Sequence, residues 1–313
     1  MAGLRVGVVG AGGVGVATAS ALVMRALAER VTIYNREEGS ARGLALDFTH
    51  ARPLLPRIEV RGRGMDEIDE EDVLVITAGA HTTPGQTRLD VFQQNLAVID
   101  DVATHVEQAA VFPRIVIVVT NPLDVLTEYL TRRWHDRPVA VMGSGTALET
   151  LRLTDRIARD CRVHPRSVHV WVIGEHGDSC VLLLDSAVVG NLPLLDFAAQ
   201  RNIDLNEERI AAIEHDVRTA AYEVRNLRGS TAQGIGLTVS GLIHALFHET
   251  GALIPVSVRV ADGVCASLPC VLGPDGPSEP LLPPMSDRER KAWDASLEVL
   301  AAANTALPFS VER

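Results

Sequence analysis

A histidine at the end of an apolar strand, set among glycines and acids, can take and give a proton near neutral pH. His176 has that setting in VIGEHGDS, where a β-rich run ends in Gly-Glu-His-Gly-Asp. One histidine among ten is more often structural or exposed, so its chemistry depends on what else the chain brings to it. A second chemical feature lies near the start. GAGGVG places Gly10, Gly12 and Gly15 directly after the apolar run LRVGVV and at the mouth of a helical pattern. In such a turn the first glycine permits the bend and the second lets backbone approach a pyrophosphate. The third lets helix and strand pack closely, and the helix N-terminus attracts the phosphate charge. Alone the glycine spacing is a weak signal; with a strand before it, a helix after it and a second strand following, it reads as a dinucleotide site.

That second strand, VTIY, ends where an acid normally grips the ribose hydroxyls and repels a 2′-phosphate. Here the position is Asn35, followed by Arg36. Asn35 can bond a hydroxyl but carries no charge. Arg36 offers a fork of donors suited to phosphate and a plane that can stack on adenine. The pair therefore points to NADP ahead of NAD. Arg36 as a plain solvated residue is the competing reading, and Glu37 and Glu38 oppose a phosphate.

The elements that must position these groups follow from hydrophobic patterning. LRVGVV, VTIY, IEV, VLVIT, RIVIVVT and PVAVMG are strand-length apolar runs alternating with helical patterns, including a long amphipathic one after Leu89. Near-continuous Val and Ile runs imply strands covered on both faces, the parallel sheet of a doubly wound α/β fold. After about Gly143 the rhythm changes. A helix over TALETLRLTDRIARD is followed by strands SVHVWVIG and VLLLDSAVV, then by a helix from about Asn206 to Leu227 and another near Gly236 to His248. Strands IPVSVRV and SLPCVLG and a last helix follow, which opens on a capping box of Ser286 and Glu289. The expected organisation is a Rossmann domain over 1–143 and an α+β substrate domain over 144–313.

With 313 residues, 47% hydrophobic and 22% charged, the chain can bury a large core. A net charge of -11 disfavours nucleic acid or an anionic membrane as partner, while leaving room for a local cationic pocket. No apolar run reaches the ~18 residues of a membrane span, and the start lacks the pattern of a secretory leader, so a cytoplasmic location is expected. Cys161, Cys180, Cys265 and Cys270 form no CxxC pair and read as buried free thiols. His244 and His248, four apart on one helix, have no evident third ligand, so no metal is expected.

Set in order, GAGGVG, AGAHTTPGQTRLD, VVTNPLDVLT, GSGTALETLR and VIGEHGDS give the chain a whole-length resemblance to the lactate/malate dehydrogenase family. The resemblance implies a Rossmann domain followed by a catalytic α+β domain, a homodimer or homotetramer, and reversible hydride transfer between a nicotinamide and an L-2-hydroxy acid. Carried over by motif, His176 is the general acid/base, Arg152 holds the substrate carboxylate, and Arg88 closes on a mobile loop to polarise the carbonyl. Asn121 orients the carbonyl and the nicotinamide, and Thr231 lines the pocket.

Two departures stand out. The family's histidine-orienting residue is an Asp three positions before the carboxylate-binding Arg, and here that position is Glu149. The specificity position, six residues before the loop arginine, is Thr82, where Gln accompanies lactate enzymes and Arg malate enzymes. No cation is thereby placed to pair a second carboxylate, which disfavours malate or oxaloacetate and leaves room for a longer side chain. Neighbouring His81, if protonated, keeps the dicarboxylate reading open. Gln233, where many lactate enzymes carry an aromatic, also alters the pocket. The main reading is an NAD(P)-dependent dehydrogenase of monocarboxylic 2-oxo acids. Malate dehydrogenase is its rival, and a catalytically weakened nucleotide-binding or scaffold protein is the alternative of another class.

Overall fold

The computed structural model describes residues 3–80, 88–260 and 263–309, with side chains in helix and strand from residue 91 onward after the first gap. The first half alternates as β1 (Arg5–Val9), α1 (Gly13–Met24), β2 (Arg30–Tyr34), α2 (Glu38–His50), β3 (Glu59–Arg63), β4 (Val73–Ile76), α3 (Arg88–Ala109), β5 (Ile115–Val118), α4 (Leu123–Arg133) and β6 (Ala140–Gly143). Strands β4 and β5 are VLVI and IVIV, buried at every position. Such strands have no solvent face, so they lie at the centre of a sheet with helices on both sides. The pairing is parallel throughout and runs β3-β2-β1-β4-β5-β6. The winding reverses between β1 and β4, which opens a crevice at their C-terminal ends, where Gly10 and Thr77 begin the next turns.

The second half continues with α5 (Ala147–Cys161), β7 (Val168–His169), β8 (Val172–Ile173), β9 (Val181–Leu182), β10 (Val188–Val189), β11 (Leu192–Pro193), α6 (Leu194–Gln200), α7 (Glu207–Arg228) and α8 (Gln233–Phe247). It ends in β12 (Leu253–Arg259), β13 (Cys265–Gly273), β14 (Gly276–Pro277) and α9 (Asp287–Asn304). The run SVHVWVIG, expected as one strand, is divided because its partner changes midway: β7 pairs with β10, whereas β8 pairs with β9. VLLLDSAVV is likewise split into β9 and β10. Strands β12 to β14 do not form a sheet of their own. They extend the large sheet antiparallel beyond β6, with Ser257 opposite Gly143.

Three apolar clusters hold the layers. One lies between the sheet and α3, α4 and α9; the second lies under α1 and α8; the third sits beneath α5 and α7 against the small sheets. The four cysteines are free and buried. His244 and His248 stack with ring centroids 5.6 Å apart, and His248 Nε2 lies 2.9 Å from the Leu27 carbonyl oxygen. No helix among the described residues is long and apolar enough to cross a membrane.

Candidate active site

Gly10 has φ +110°, a conformation that favours glycine, and a Cβ on Gly15 would collide with the Gly10 carbonyl oxygen. Gly12 faces open space and is the N-cap of α1. That helix begins without a side-chain cap and without an acid in its first turn. Its positive end and free amides are thus exposed to the crevice, a setting for an anion. Asn35 follows β2 and reaches this turn: its Oδ1 accepts from the Ala11 amide at 3.4 Å, and its Nδ2 donates to the Glu37 carbonyl at 3.1 Å. Arg36 is exposed beside it.

A cleft of ≈ 500 Å³ runs from Val14 in the first turn of α1 to His176, bordered by Asn121, Ser144, Arg152 and Thr231. The Ser144 hydroxyl is buried with no hydrogen-bond partner among the described residues. A buried hydroxyl on a cleft wall that is left unbonded costs about 1–3 kcal/mol, so a polar group lying in the cleft would find a hydrogen-bond partner there. Glycine turn, uncapped helix and unpaired hydroxyl together fit a dinucleotide lying along the cleft.

At the cleft floor, α5 carries Glu149 and Arg152 one turn apart on the same face. The helix is locked to the segment leading to His176. Thr146 Oγ1 donates to the Val172 carbonyl, and the Val172 amide donates to Thr150 Oγ1 at 3.0 Å. Gly174 and Ser267 exchange two backbone hydrogen bonds of 2.9 Å, which ties the start of the histidine loop to β13. The result is a three-residue array. Glu149 Oε2 lies 3.2 Å from His176 Nδ1, and Glu149 Oε1 accepts from Arg152 Nη1 at 2.9 Å.

Burial alone would depress the His176 pKa, but the charge of Glu149 and its hydrogen bond outweigh that, with Asp124 adding to them and Arg152 opposing, so it is pushed up to about 9. Burial raises Glu149, yet His176 and Arg152 bring its carboxyl below the usual carboxylate range. The pair is therefore imidazolium and carboxylate at neutral pH. With Nδ1 given to Glu149, Nε2 is the nitrogen left for a substrate oxygen.

Of the other expected site residues, Asn121 and Thr231 border the cleft. Gln233 is exposed at the start of α8, and its Oε1 accepts from Arg228 Nη1 at 2.7 Å rather than bordering the cleft. Thr82 and His81 lie outside the described residues, as does the side chain of Arg88, whose backbone begins α3.

Two contributors escaped the sequence reading. Asn95, buried on the apolar face of α3, donates to the Asn121 carbonyl at 2.7 Å and accepts from the Ala80 amide at 2.6 Å. It thus joins the loops after β4 and β5. Its signal is phase: it shares a helix face with Phe92 and Ile99, whereas neighbouring Gln93 and Gln94 are exposed. Asp124 accepts from the His176 backbone amide at 2.7 Å, and its signal is an acid inside the apolar run LDVL. Replacing Asn95 by Leu leaves the half-buried Ala80 amide and the Asn121 carbonyl without this partner. We expect a loss of about 2 kcal/mol of stability in urea unfolding, with turnover falling because Asn121 loses its support.

A glycine turn at a helix N-terminus, opening on a cleft that ends at a carboxylate–imidazole pair and an arginine, defines the class of dinucleotide-binding dehydrogenases. The comparisons narrow the class. Residues 4–143 match the model for lactate/malate dehydrogenase, NAD binding domain, and residues 146–307 match that for lactate/malate dehydrogenase, alpha/beta C-terminal domain. The chain belongs to the lactate/malate dehydrogenase family. It is 36% identical to L-lactate dehydrogenase of Thermus aquaticus over 311 residues, which covers 98% of this chain and 100% of that protein. It is also 36% identical to L-lactate dehydrogenase of Nitratidesulfovibrio vulgaris over 309 residues, 97% of this chain and 99% of that protein. Among solved structures, a lactate dehydrogenase from a Medee basin deep-sea metagenome library superposes with a TM-score of 0.91 at 28% identity, covering 99% of this chain and 100% of that one. The minor L-lactate dehydrogenase of Enterococcus mundtii gives 0.89 at 27% identity, covering 98% and 99%.

Proposed function

We propose that this chain is an NAD(P)-dependent L-2-hydroxyacid dehydrogenase that interconverts a monocarboxylic 2-oxo acid and its L-2-hydroxy acid. The observation that carries the reading is the array His176–Glu149–Arg152 at the floor of the cleft that begins at the glycine turn. A nicotinamide, when bound in the cleft, would supply the hydride in one direction and accept it in the other.

The chain's own residues do the rest. Arg152 presents guanidinium donors to the substrate carboxylate, and Glu149 fixes one edge of that guanidinium so that the fork is held for two parallel bonds. During reduction, His176 Nε2 gives its proton to the carbonyl oxygen while the carbon of that carbonyl gains the hydride. During oxidation, neutral Nε2 takes the hydroxyl proton. Glu149 keeps the ring in the required orientation and stabilises its charged form. Asn121 and Ser144, which border the cleft, would meet the nicotinamide and the reacting carbonyl, and the amides at the start of α1 would meet the pyrophosphate. Arg88 is assigned the carbonyl-polarising role by motif.

On cofactor choice, we read Asn35 and Arg36 as permitting NADP and favouring it over NAD. What supports this is the neutral amide of Asn35 where a carboxylate would repel a 2′-phosphate, next to an exposed guanidinium. Arg36→Ala is expected to lower kcat/KM with NADPH about tenfold while leaving NADH use nearly unchanged, because only the phosphorylated cofactor has an anion there. Equal losses with both cofactors remove the argument. A panel of 2-oxo acids tests the substrate class by loss of reduced-nicotinamide absorbance. Monocarboxylic acids should be the best substrates. A large preference for oxaloacetate would overturn the use made of Thr82. A cytoplasmic homodimer or homotetramer completes the reading.

A further inference from the structure

A second carboxylate holds His176, at its backbone amide where Glu149 bonds the ring. Asp124 lies in the first turn of α4 and is 3% exposed. Both its oxygens are used: Oδ2 accepts from the His176 backbone amide at 2.7 Å, and Oδ1 accepts from Ser257 Oγ at 2.6 Å. Ser257 belongs to β12, is fully buried, and pairs with Gly143 at the end of β6. A chain of hydrogen bonds thus runs from the middle of the large sheet, through one buried acid, to the backbone of the histidine. The same short turn carries Asn121, three residues earlier, into the cleft.

A buried carboxylate is costly unless its bonds and charge are answered. Two hydrogen bonds and the helix N-terminus answer part of that cost, and the imidazolium supplies the opposite charge. Burial still pushes Asp124 up to about 6, with Ser257 and His176 acting to lower it. The charged groups around His176 are Glu149 and Arg152 on α5, Asp124 on α4 and the adjacent Glu175, with Asp178 and, on α7, Arg218 and Arg225 further along the same cleft.

We propose that Asp124 is a positioning residue for the proton-transfer step: anchored by Ser257, it clamps the His176 backbone amide and keeps a second buried carboxylate close to the imidazole. The proposal rests on the reading of His176 as the acid/base. Glu149 governs the ring, and Asp124 governs where the backbone presents that ring and how firmly it keeps its proton. Ser257 holds the Asp124 carboxylate in place.

Asp124→Asn separates charge from geometry. The amide oxygen can still accept from the His176 N–H, and the Ser257 hydroxyl can accept from the amide nitrogen, so the shape and bonds are retained while the charge is removed. The histidine resonance that disappears in His176→Asn identifies His176 in an NMR pH titration, which needs no turnover. In Asp124→Asn its midpoint is expected to fall by about one pH unit. The pH profile of reduction should lose activity at correspondingly lower pH, and that of oxidation should gain it there. Asp124→Ala also removes the acceptor, so kcat should fall by roughly tenfold or more while KM for the reduced nicotinamide holds. If that variant does not fold, Asp124→Asn decides alone. An Asp124→Asn titration that coincides with the parent's overturns the proposal. So does an Asp124→Ala enzyme with the parent's kcat. A shifted titration in a protein that turns over no 2-oxo acid overturns the functional reading and leaves the Asp124–His176 coupling intact.

Discussion

Replacing His176 by Asn is expected to lower kcat on the order of 10³-fold in both directions while the dissociation constant for the reduced nicotinamide changes little. The side chain of Asn can still bond Glu149, and its backbone amide can still donate to Asp124, so the cleft keeps its shape. It cannot exchange a proton at any working pH, and only that capacity is lost. Steady-state rates alongside a cofactor-fluorescence titration separate the two effects. A variant with near-parent turnover would remove His176 from the chemistry. The parent should show a matching pH signature. Because the folded-state pKa of His176 is raised to about 9, its imidazolium persists well above the ordinary histidine range. Reduction should hold through neutral pH and decline as pH rises through about 9, whereas oxidation should strengthen over that interval.

The second large effect is expected at Arg152. Arg152→Lys keeps the positive charge but loses the planar fork, so the substrate carboxylate gets one flexible ammonium in place of two parallel bonds. A loss of about 3 kcal/mol, roughly 10²-fold in kcat/KM, should appear in the 2-oxo acid's constants and not in those of the cofactor. In this chain the substitution reaches further than the substrate, because Glu149 Oε1 accepts from Arg152 Nη1. Freed of that bond, Glu149 has less to hold it on His176, so kcat should drop along with carboxylate affinity. A change confined to KM would show that Glu149 is held without Arg152.

Glu149 also shows what a longer side chain reaches at a position where the motif led us to expect Asp. From one turn before Arg152, its extra methylene lets one oxygen reach the imidazole and the other the guanidinium. The array is closed in this arrangement by a single carboxylate.

Most of the first half was legible from pattern, because Val- and Ile-rich runs buried on both faces have one stable home, the middle of a parallel sheet. The glycine turn and the second strand's end were legible for the same local reason. What the pattern did not reveal is who pairs with whom over long separations. SVHVWVIG carries a single strand's composition, yet its two ends bond to different neighbours, and nothing within it marks the change. IPVSVRV reads as a strand in the second half, but its seat against β6 depends on Gly143, more than a hundred positions earlier. The residues proposed to react, His176, Arg152 and Arg88, are singled out by motif. Their supports, Asn95, Asp124 and Ser257, act through hydrogen bonds to backbone or to each other across loops, and only their polarity in apolar surroundings hints at them. Gln233, singled out by motif, accepts from Arg228 at the end of α7, a contact that its place in the sequence pattern does not foretell.

Direct hydride transfer to a 2-oxo acid, with proton delivery from His176, is the step on which the proposed function stands. The measurement that meets it most squarely uses reduced nicotinamide cofactor carrying deuterium at the reactive carbon, a monocarboxylic 2-oxo acid, and NMR of the product. One deuterium is expected at C2 of an L-2-hydroxy acid, formed by the parent protein and not by His176→Asn. A product without deuterium at C2, or no product from any 2-oxo acid in a protein that binds the cofactor, would contradict it.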